Sequence, residues 1–205
     1  MIVAPRMLIA TSNQGKLREF LALVPEGNEL ASLSDFDLFP PAETGMTFAE
    51  NADIKALAAA RGAHLIALAD DSGLEIDALD GAPGVFSARY SGEPADDRRN
   101  LEKVLFELEA RPGSARTARF RCAISIASTN GVLARSEGVC EGVIAAEARG
   151  SNGFGYDPIF LLPDGRTLAE HSTVEKNRVS HRAKAIAAIT PDLRFILEQA
   201  RIDAR

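Results

Sequence analysis

The stretch His64-Leu65-Ile66-Ala67-Leu68-Ala69-Asp70-Asp71-Ser72-Gly73 decides how this 205-residue chain is read. The run from His64 to Ala69 has the character of a buried strand, and Asp70-Asp71-Ser72-Gly73 reads as the bend that ends it. Two carboxylates at the end of a strand stand at the mouth of a cleft, held by rigid backbone. That placement suits a hard divalent cation, or the ionisation of a water beside a phosphate. An acidic pair at a strand end also serves simply to solvate a turn, so the pair needs support from the rest of the chain.

Upstream, Met7-Leu8-Ile9-Ala10 reads as a short buried strand that opens into Thr11-Ser12-Asn13-Gln14-Gly15-Lys16, and a helix follows from about Lys16 to Val24, stopped by Pro25. A loop between a strand and a helix start can cradle an anion, because the first helical N–H groups lack intrahelical partners and face the positive end of the dipole. Thr11, Ser12 and Asn13 offer hydrogen bonds, Gly15 allows close approach, and Lys16 supplies charge; an ordinary strand-to-helix turn accounts for the same residues. The loop is not a nucleotide-kinase P-loop, since the earlier glycine is missing and Leu17 stands where Ser or Thr is required.

After Pro40-Pro41, Thr47-Phe48-Ala49-Glu50 reads as a capping box. It starts an Ala-rich helix that carries Asn51 and, one turn later, Lys55, and that is closed near Arg61 by Gly62. By pattern alone Lys55 is a solvated lysine, and Glu43 is equally plain. Downstream, Asp80-Gly81 and Pro83-Gly84 mark a loop. Leu101, Val104, Leu105 and Leu108 set an amphipathic helix over about Asp96 to Ala110. Phe120, Cys122, Ile124 and Ile126 alternate with smaller or polar residues as a half-buried strand, and Asn130-Gly131 turns it into a second long strand toward Ile144. Ser180 is read as the cap of a helix from His181 to Ile189, and Pro191 as the start of a last helix with Leu193, Ile196, Leu197 and Ala200 on its apolar side. Strand and helix alternate at first and a hairpin follows, which makes the fold α/β with a mixed sheet in one domain.

Two further clusters carry chemistry. Phe154-Gly155-Tyr156-Asp157 sets aromatics around a glycine, suited to stacking on a flat base or to entering a strand with core aromatics. Lys176 and Ser180-His181-Arg182 collect cationic donors near a helix start, for a phosphate, a base carbonyl or water.

Bulk properties remove several classes. The net charge of −6 argues against a nucleic-acid binder, which needs a basic face. Cys122 and Cys140 form no C-x-x-C motif, so no zinc site is expected, and both are read as buried free thiols. Met1 to Arg6 has the wrong order of parts for a signal peptide, and no apolar stretch approaches the ~20 residues of a membrane span. The expectation is a cytoplasmic protein with no membrane contact.

Taken together, the segments closely resemble the non-canonical purine nucleoside triphosphate pyrophosphatases, the inosine/xanthosine triphosphate pyrophosphatase family. The resemblance rests on Ala10 to Lys16, Glu43-Thr44-Gly45-Met46-Thr47-Phe48 with Glu50-Asn51-Ala52, Asp70 to Leu74, Gly81-Ala82-Pro83-Gly84 through Ser87 to Gly92, Gly153 to Pro158, Lys176 and Ser180-His181-Arg182. These blocks span nearly the whole chain in the family's order.

The resemblance implies an ITPase-like fold: a long, twisted mixed sheet with helices on both sides, and two lobes sharing it around a central cleft, usually in a homodimer. It also implies Mg²⁺-dependent hydrolysis of ITP, dITP, XTP and dXTP to the monophosphate and pyrophosphate, clearing deaminated purines from the nucleotide pool. By the same resemblance Asp71 is the general base, and Lys55 is a catalytic lysine that joins the triphosphate grip and stabilises charge on the phosphates. Glu43 and Asp71, with Asp70, form the metal site. Thr11, Ser12, Asn13, Gln14, Gly15 and Lys16 grip the triphosphate, with Ser72 as a further substrate contact. Phe154, Gly155, Tyr156, Asp157, Lys176, His181 and Arg182 form the wall that recognises the base. Many relatives carry a second acid directly before the position of Glu43; here that residue is Ala42. Buried donors such as His181 and Arg182 would favour a 6-oxo purine over adenine, whose amino group leaves them unpaired, a mismatch worth ~10⁴ or more in discrimination. The nearest rival is a Maf-type pyrophosphatase for pyrimidine or modified nucleotides; a rival from another class is a nucleotide-binding module without turnover.

Overall fold

The computed structural model describes residues 6–24 and 29–203, and the readings placed on residues 1–5 and on Pro25 fall outside them. Among the described residues, six strands form one mixed sheet: β1 (Arg6–Ile9), β2 (Glu29–Ser32), β3 (Ile66–Ile76), β4 (Thr117–Ser128), β5 (Gly131–Ile144) and β6 (Phe160–Leu161). Their order is β2-β1-β3-β4-β5-β6. β1 runs parallel to both β2 and β3, whereas β5 and β6 are antiparallel, with Ile144 opposite Phe160. The α-helices of the described residues are α1 (Gln14–Leu23), α2 (Phe48–Ala63), α3 (Asp97–Glu109), α4 (Thr173–Val179) and α5 (His181–Asp203). Among the described residues, no helix is long and apolar enough to cross a membrane.

The chain divides into two compact units. The first holds residues 1–71, 122–138 and 182–205; the second holds 72–121 and 139–181. In the first unit, strand alternation sorts side chains onto two faces. Met7, Ile9 and Leu68 pack with Phe20 of α1 and with Ala185, Ile189, Leu193 and Leu197 of α5. Leu8, Ala67 and Ala69 pack on the other face with Ala56, Ala59 and Ala60 of α2. Alanines on both sides of that second contact let α2 lie close to the sheet, which brings its longer side chains to the strand. The second unit is built around Leu74, Ile76, Leu101, Val104, Leu108, Tyr156, Ile159 and Phe160.

Local signals hold where the interaction is local. Thr47 caps α2 with Glu50 returning the bond, and α3 starts at the Asp96 cap as its periodicity predicts. Four expectations are corrected. β3 does not bend at Asp70-Asp71-Ser72-Gly73 but runs straight through them to Ile76, because Leu74 and Ile76 are fully buried and carry the alternation onward. Gly62 does not close α2; it lies within the helix, where a Cβ would come 2.7 Å from Leu38 Cδ2, and His64 in the left-handed region ends the helix. The two C-terminal helices are one, α5, with Pro191 inside it. Its buried row from Ala185 to Leu197 passes unbroken across the proline and outweighs the lost backbone bond. The turn between β4 and β5 is Thr129-Asn130, with Gly131 already in strand. Strand β2, strand β6 and helix α4 have too little apolar periodicity to be read from sequence.

Both cysteines are free and buried, as expected.

Candidate active site

Asp70 and Asp71 lie inside β3 and therefore point to opposite faces of the sheet. On the α2 side, Lys55 Nζ stands 2.8 Å from Asp71 Oδ1 and 2.8 Å from Glu43 Oε1. Asn51 Nδ2 donates to Asp71 Oδ2 at 3.2 Å. Lys55 and Asn51 are one turn apart on α2, and both reach the strand from its inward face. Lys55 is thus a buried lysine between two carboxylates, not a solvated one. Burial opposes its charge, but Asp71, Asp70 and Glu43 overcome this and hold the ammonium above its ordinary range. Burial pushes the Asp71 carboxyl up, and the pull of Lys55 and Lys16 offsets this only in part.

On the α1 and α5 side, Asp70 Oδ2 accepts from Lys16 Nζ and Arg182 Nη2, each at 3.0 Å. Arg182 is 1% exposed and its Nη1 bonds Glu19 of α1. Burial would raise the Asp70 carboxyl, yet Lys16, Arg182 and Lys55 hold it well below the usual carboxylate range. The acid pair therefore separates into two differently tuned groups. Asp71 sits with Glu43 around one point, while Asp70 is engaged by two cations on the other face. Among the described residues, no three His, Cys, Asp or Glu side chains converge as a metal cluster.

The loop before α1 spends part of its polarity on itself. Thr11 Oγ1 accepts from Asn13 N at 3.2 Å, and Asn13 caps the helix by accepting from Lys16 N at 3.0 Å. Ser12 and Gln14 are exposed beside that helix start, and Gly15 is half-buried.

In the second unit, the Gly153-Phe154-Gly155-Tyr156-Asp157 segment wraps around its own acid. Asp157 Oδ2 accepts from Phe154 N at 3.0 Å and from Lys176 Nζ at 2.5 Å. Gly153, at φ +80°, is needed there, since a Cβ would fall 1.9 Å from Asp157 Oδ2. Lys176 Nζ lies 4.8 Å from the Phe154 ring centroid, and Asp97 accepts from Gly155 N at 2.8 Å. Tyr156 is turned inward, its hydroxyl donating to Ser87 O at 2.7 Å. His181 is buried and stacks on Phe120 at 4.8 Å. Ser72 follows Asp71 in β3 and is half-buried.

The residues 7–192 match the model of the Ham1 family. This chain belongs to that family. It is 53% identical to the dITP/XTP pyrophosphatase of Geobacillus kaustophilus over 186 residues, 89% of this chain and 91% of the relative. It is 47% identical to the dITP/XTP pyrophosphatase of Bacillus subtilis over 193 residues, 93% and 98% of the two chains. Among solved structures, a HAM1 protein from Coxiella burnetii superimposes with a TM-score of 0.85 at 45% identity, covering 92% of this chain and 98% of that one. Sequence reasoning gives no role to three polar residues of this Ham1-family chain: Asn51, which it names only as a motif residue, Glu19 and Asp97. For Asn51 a signal was present, the i, i+4 spacing to Lys55 on one helix face. Glu19 and Asp97 act over long sequence separations and left none.

Proposed function

We propose that this chain is a Mg²⁺-dependent nucleoside triphosphate pyrophosphohydrolase that converts ITP, dITP, XTP and dXTP to the monophosphate and pyrophosphate. The observation that carries the reading is the pair of carboxylates, Glu43 and Asp71, converging at 2.8 Å on one buried ammonium in a Ham1-family chain. Two hard oxygen donors around one point fit Mg²⁺, which is commonly bound by one or two carboxylates together with substrate phosphates and water. Asp70 is not grouped with them, because the pleat of β3 turns it to the opposite face of the sheet, where it pairs with Lys16 and Arg182. The metal residues proposed are therefore Glu43 and Asp71. When bound there, the cation supplies charge neutralisation on phosphate oxygens and a lowered pKa for a nearby water.

The chain's own residues do the rest. Asp71 takes the proton of the attacking water, its buried carboxyl being a stronger base than an exposed one. The new bond forms between water oxygen and the α-phosphorus, and the α–β bridging bond breaks with its electron pair on the departing pyrophosphate. Lys55 holds Glu43 and Asp71 in place and adds positive charge. Lys16, steadied by Asp70, and the residues Thr11 to Gly15 bind the triphosphate. Phe154, Gly155, Tyr156, Asp157, Lys176 and His181 form the base-recognition segment. Within it, Asp157 and Tyr156 shape the loop, while Phe154 and Lys176 present a ring and a cation. Arg182, spent on Asp70 and Glu19, serves the phosphate end. A homodimer without nucleic-acid or membrane partners completes the reading.

The test is pyrophosphate release from ITP, XTP, GTP, ATP and dTTP, each with Mg²⁺ and with EDTA. Metal-dependent release from ITP and XTP alone is expected. Preference for dTTP would move the chain to the Maf-type reading, and binding of ITP without turnover would leave a binding module.

A further inference from the structure

Asn51 is 1% exposed, and its side chain bonds in two directions. Its Oδ1 accepts from Gly45 N at 2.8 Å, and its Nδ2 donates to Asp71 Oδ2 at 3.2 Å. Chemistry dictates which end faces which partner: a backbone N–H only donates, so it meets the carbonyl oxygen, and an ionised carboxylate only accepts, so it meets the amide. Gly45 belongs to the loop that carries Glu43. A Cβ on Gly45 would lie 2.7 Å from both Asn51 Oδ1 and Glu50 Cβ, so the missing side chain is what lets this loop close onto the start of α2. Glu50 completes the closure by accepting from Met46 N at 2.6 Å and Thr47 N at 3.1 Å.

Lys55 also joins Glu43 to Asp71, but through a flexible stem and by charge. Asn51 joins the same two segments through a short planar amide on a helix, with both ends satisfied and no net charge. We propose that Asn51 is a positioning residue that ties the Glu43 loop to Asp71 and so sets the spacing of the two carboxylates for a hard divalent cation. This inference rests on the metal-facing reading of Glu43 and Asp71 given above. An aspartate at this position would keep the oxygen for Gly45 but present a second acceptor to Asp71; an alanine would break both bonds.

The experiment uses the full chain as wild type, Asn51→Ala and Asn51→Asp, with folding checked by thermal melts. Hydrogen–deuterium exchange over residues 43–47 is measured without metal, and pyrophosphate release from ITP is titrated with Mg²⁺. In Asn51→Ala the 43–47 amides should exchange faster and half-saturating Mg²⁺ should rise ~10–100-fold, the usual effect of losing a partner behind a metal ligand, with KM for ITP at saturating Mg²⁺ little changed. Asn51→Asp should keep wild-type exchange in that segment yet lose kcat by at least ~10-fold. Wild-type exchange and wild-type Mg²⁺ dependence in a folded Asn51→Ala would overturn the proposal. So would full kcat in Asn51→Asp, which serves if the alanine variant fails to fold. If the wild type releases pyrophosphate from no nucleotide, the functional reading fails, and the exchange comparison still decides whether Asn51 holds the loop.

Discussion

Asp70 and Asp71 are covalent neighbours, yet Lys16 and Arg182 grip the first while Lys55 and Asn51 grip the second. The cause is the pleat of β3, which sends successive side chains to opposite faces and so into different helices' company. Two acids that look equivalent in sequence become one carboxyl held well below its ordinary range by Lys16 and Arg182 and one pushed above it by burial.

Substitution should separate the two roles. If Asp71 is the proposed general base, Asp71→Asn should keep the fold and lower kcat by ~10²–10⁴. Asp70→Asn instead leaves the buried Arg182 and Lys16 short of a countercharge, and costs ~3–5 kcal/mol of stability. Urea denaturation and pyrophosphate release measured on both variants check this. An Asp70→Asn protein as stable as wild type would show that the anchor is not holding the first unit together.

Phenolate absorbance offers a second test, because the chain has two tyrosines and no tryptophan. Burial, then the Glu107 carboxylate that accepts from its hydroxyl, push Tyr90 upward. Burial likewise raises Tyr156, which donates to Ser87 O. In alkaline titration the native protein should show less phenolate at a pH of about 10 than the urea-unfolded chain, which is half ionised there. Above that pH the unfolded state has released protons the native state keeps, so stability must fall as pH rises. Half-ionisation near the ordinary pKa in the native protein would contradict the buried placement of Tyr156, or, for Tyr90, its bond to Glu107.

Gly142 of β5 is pressed against β6. A Cβ there would come 2.5 Å from Leu161 O and 2.6 Å from the Phe160 ring, and the first of these is backbone that cannot step aside. Gly142→Ala should destabilise by ~1–3 kcal/mol, the usual cost of forced overpacking, read as a lower urea midpoint. An unchanged midpoint would mean that β6 is free to move.

Pro191 lies within α5, where it has no N–H to give to the carbonyl one turn back. Thr190 turns its hydroxyl onto Ile186 O at 2.7 Å in the same turn. Since an interior proline costs ~3 kcal/mol relative to alanine in a helix, part of it recovered through a stiffer unfolded chain, Pro191→Ala should raise the melting temperature. A lower melting temperature would show that the helix needs a kink there for Leu193 and Leu197 to reach the core.

Much of this is legible in the sequence. The Thr47–Glu50 box and the α3 repeat of Leu101, Val104 and Leu108 are legible because a cap and a helical face depend on residues a few positions apart, and the alternation from Phe120 to Ile126 marks β4 as a strand, but not a half-buried one: Ala123, Ser125 and Ala127 on its other face are buried as well. The motif blocks also sufficed to place the chain in its family, since they lie in order along most of its length. The continuation of β3 through two acids and a glycine was not legible: local signals said turn, and only the burial of Leu74 and Ile76 against residues far along the chain kept the strand going. The fusion of α5 across Pro191 has the same origin, as tertiary burial overrode a local breaker.

By itself, then, the sequence determined the class of the fold, the family and the residues that carry polar chemistry, since these reside in composition, spacing and order. Tertiary structure alone decided which partner each of those residues takes. Lys55 became a buried bridge between Glu43 and Asp71, Arg182 a buried anchor on Asp70 and Glu19, and Asn51 the tie between a loop and a strand. The physical reason is distance along the chain: Asn51 and Asp71 are twenty residues apart, and Glu19 and Arg182 are 163 apart. A charge or an amide carries no mark of its partner until packing brings the two together and excludes the water that would otherwise satisfy both.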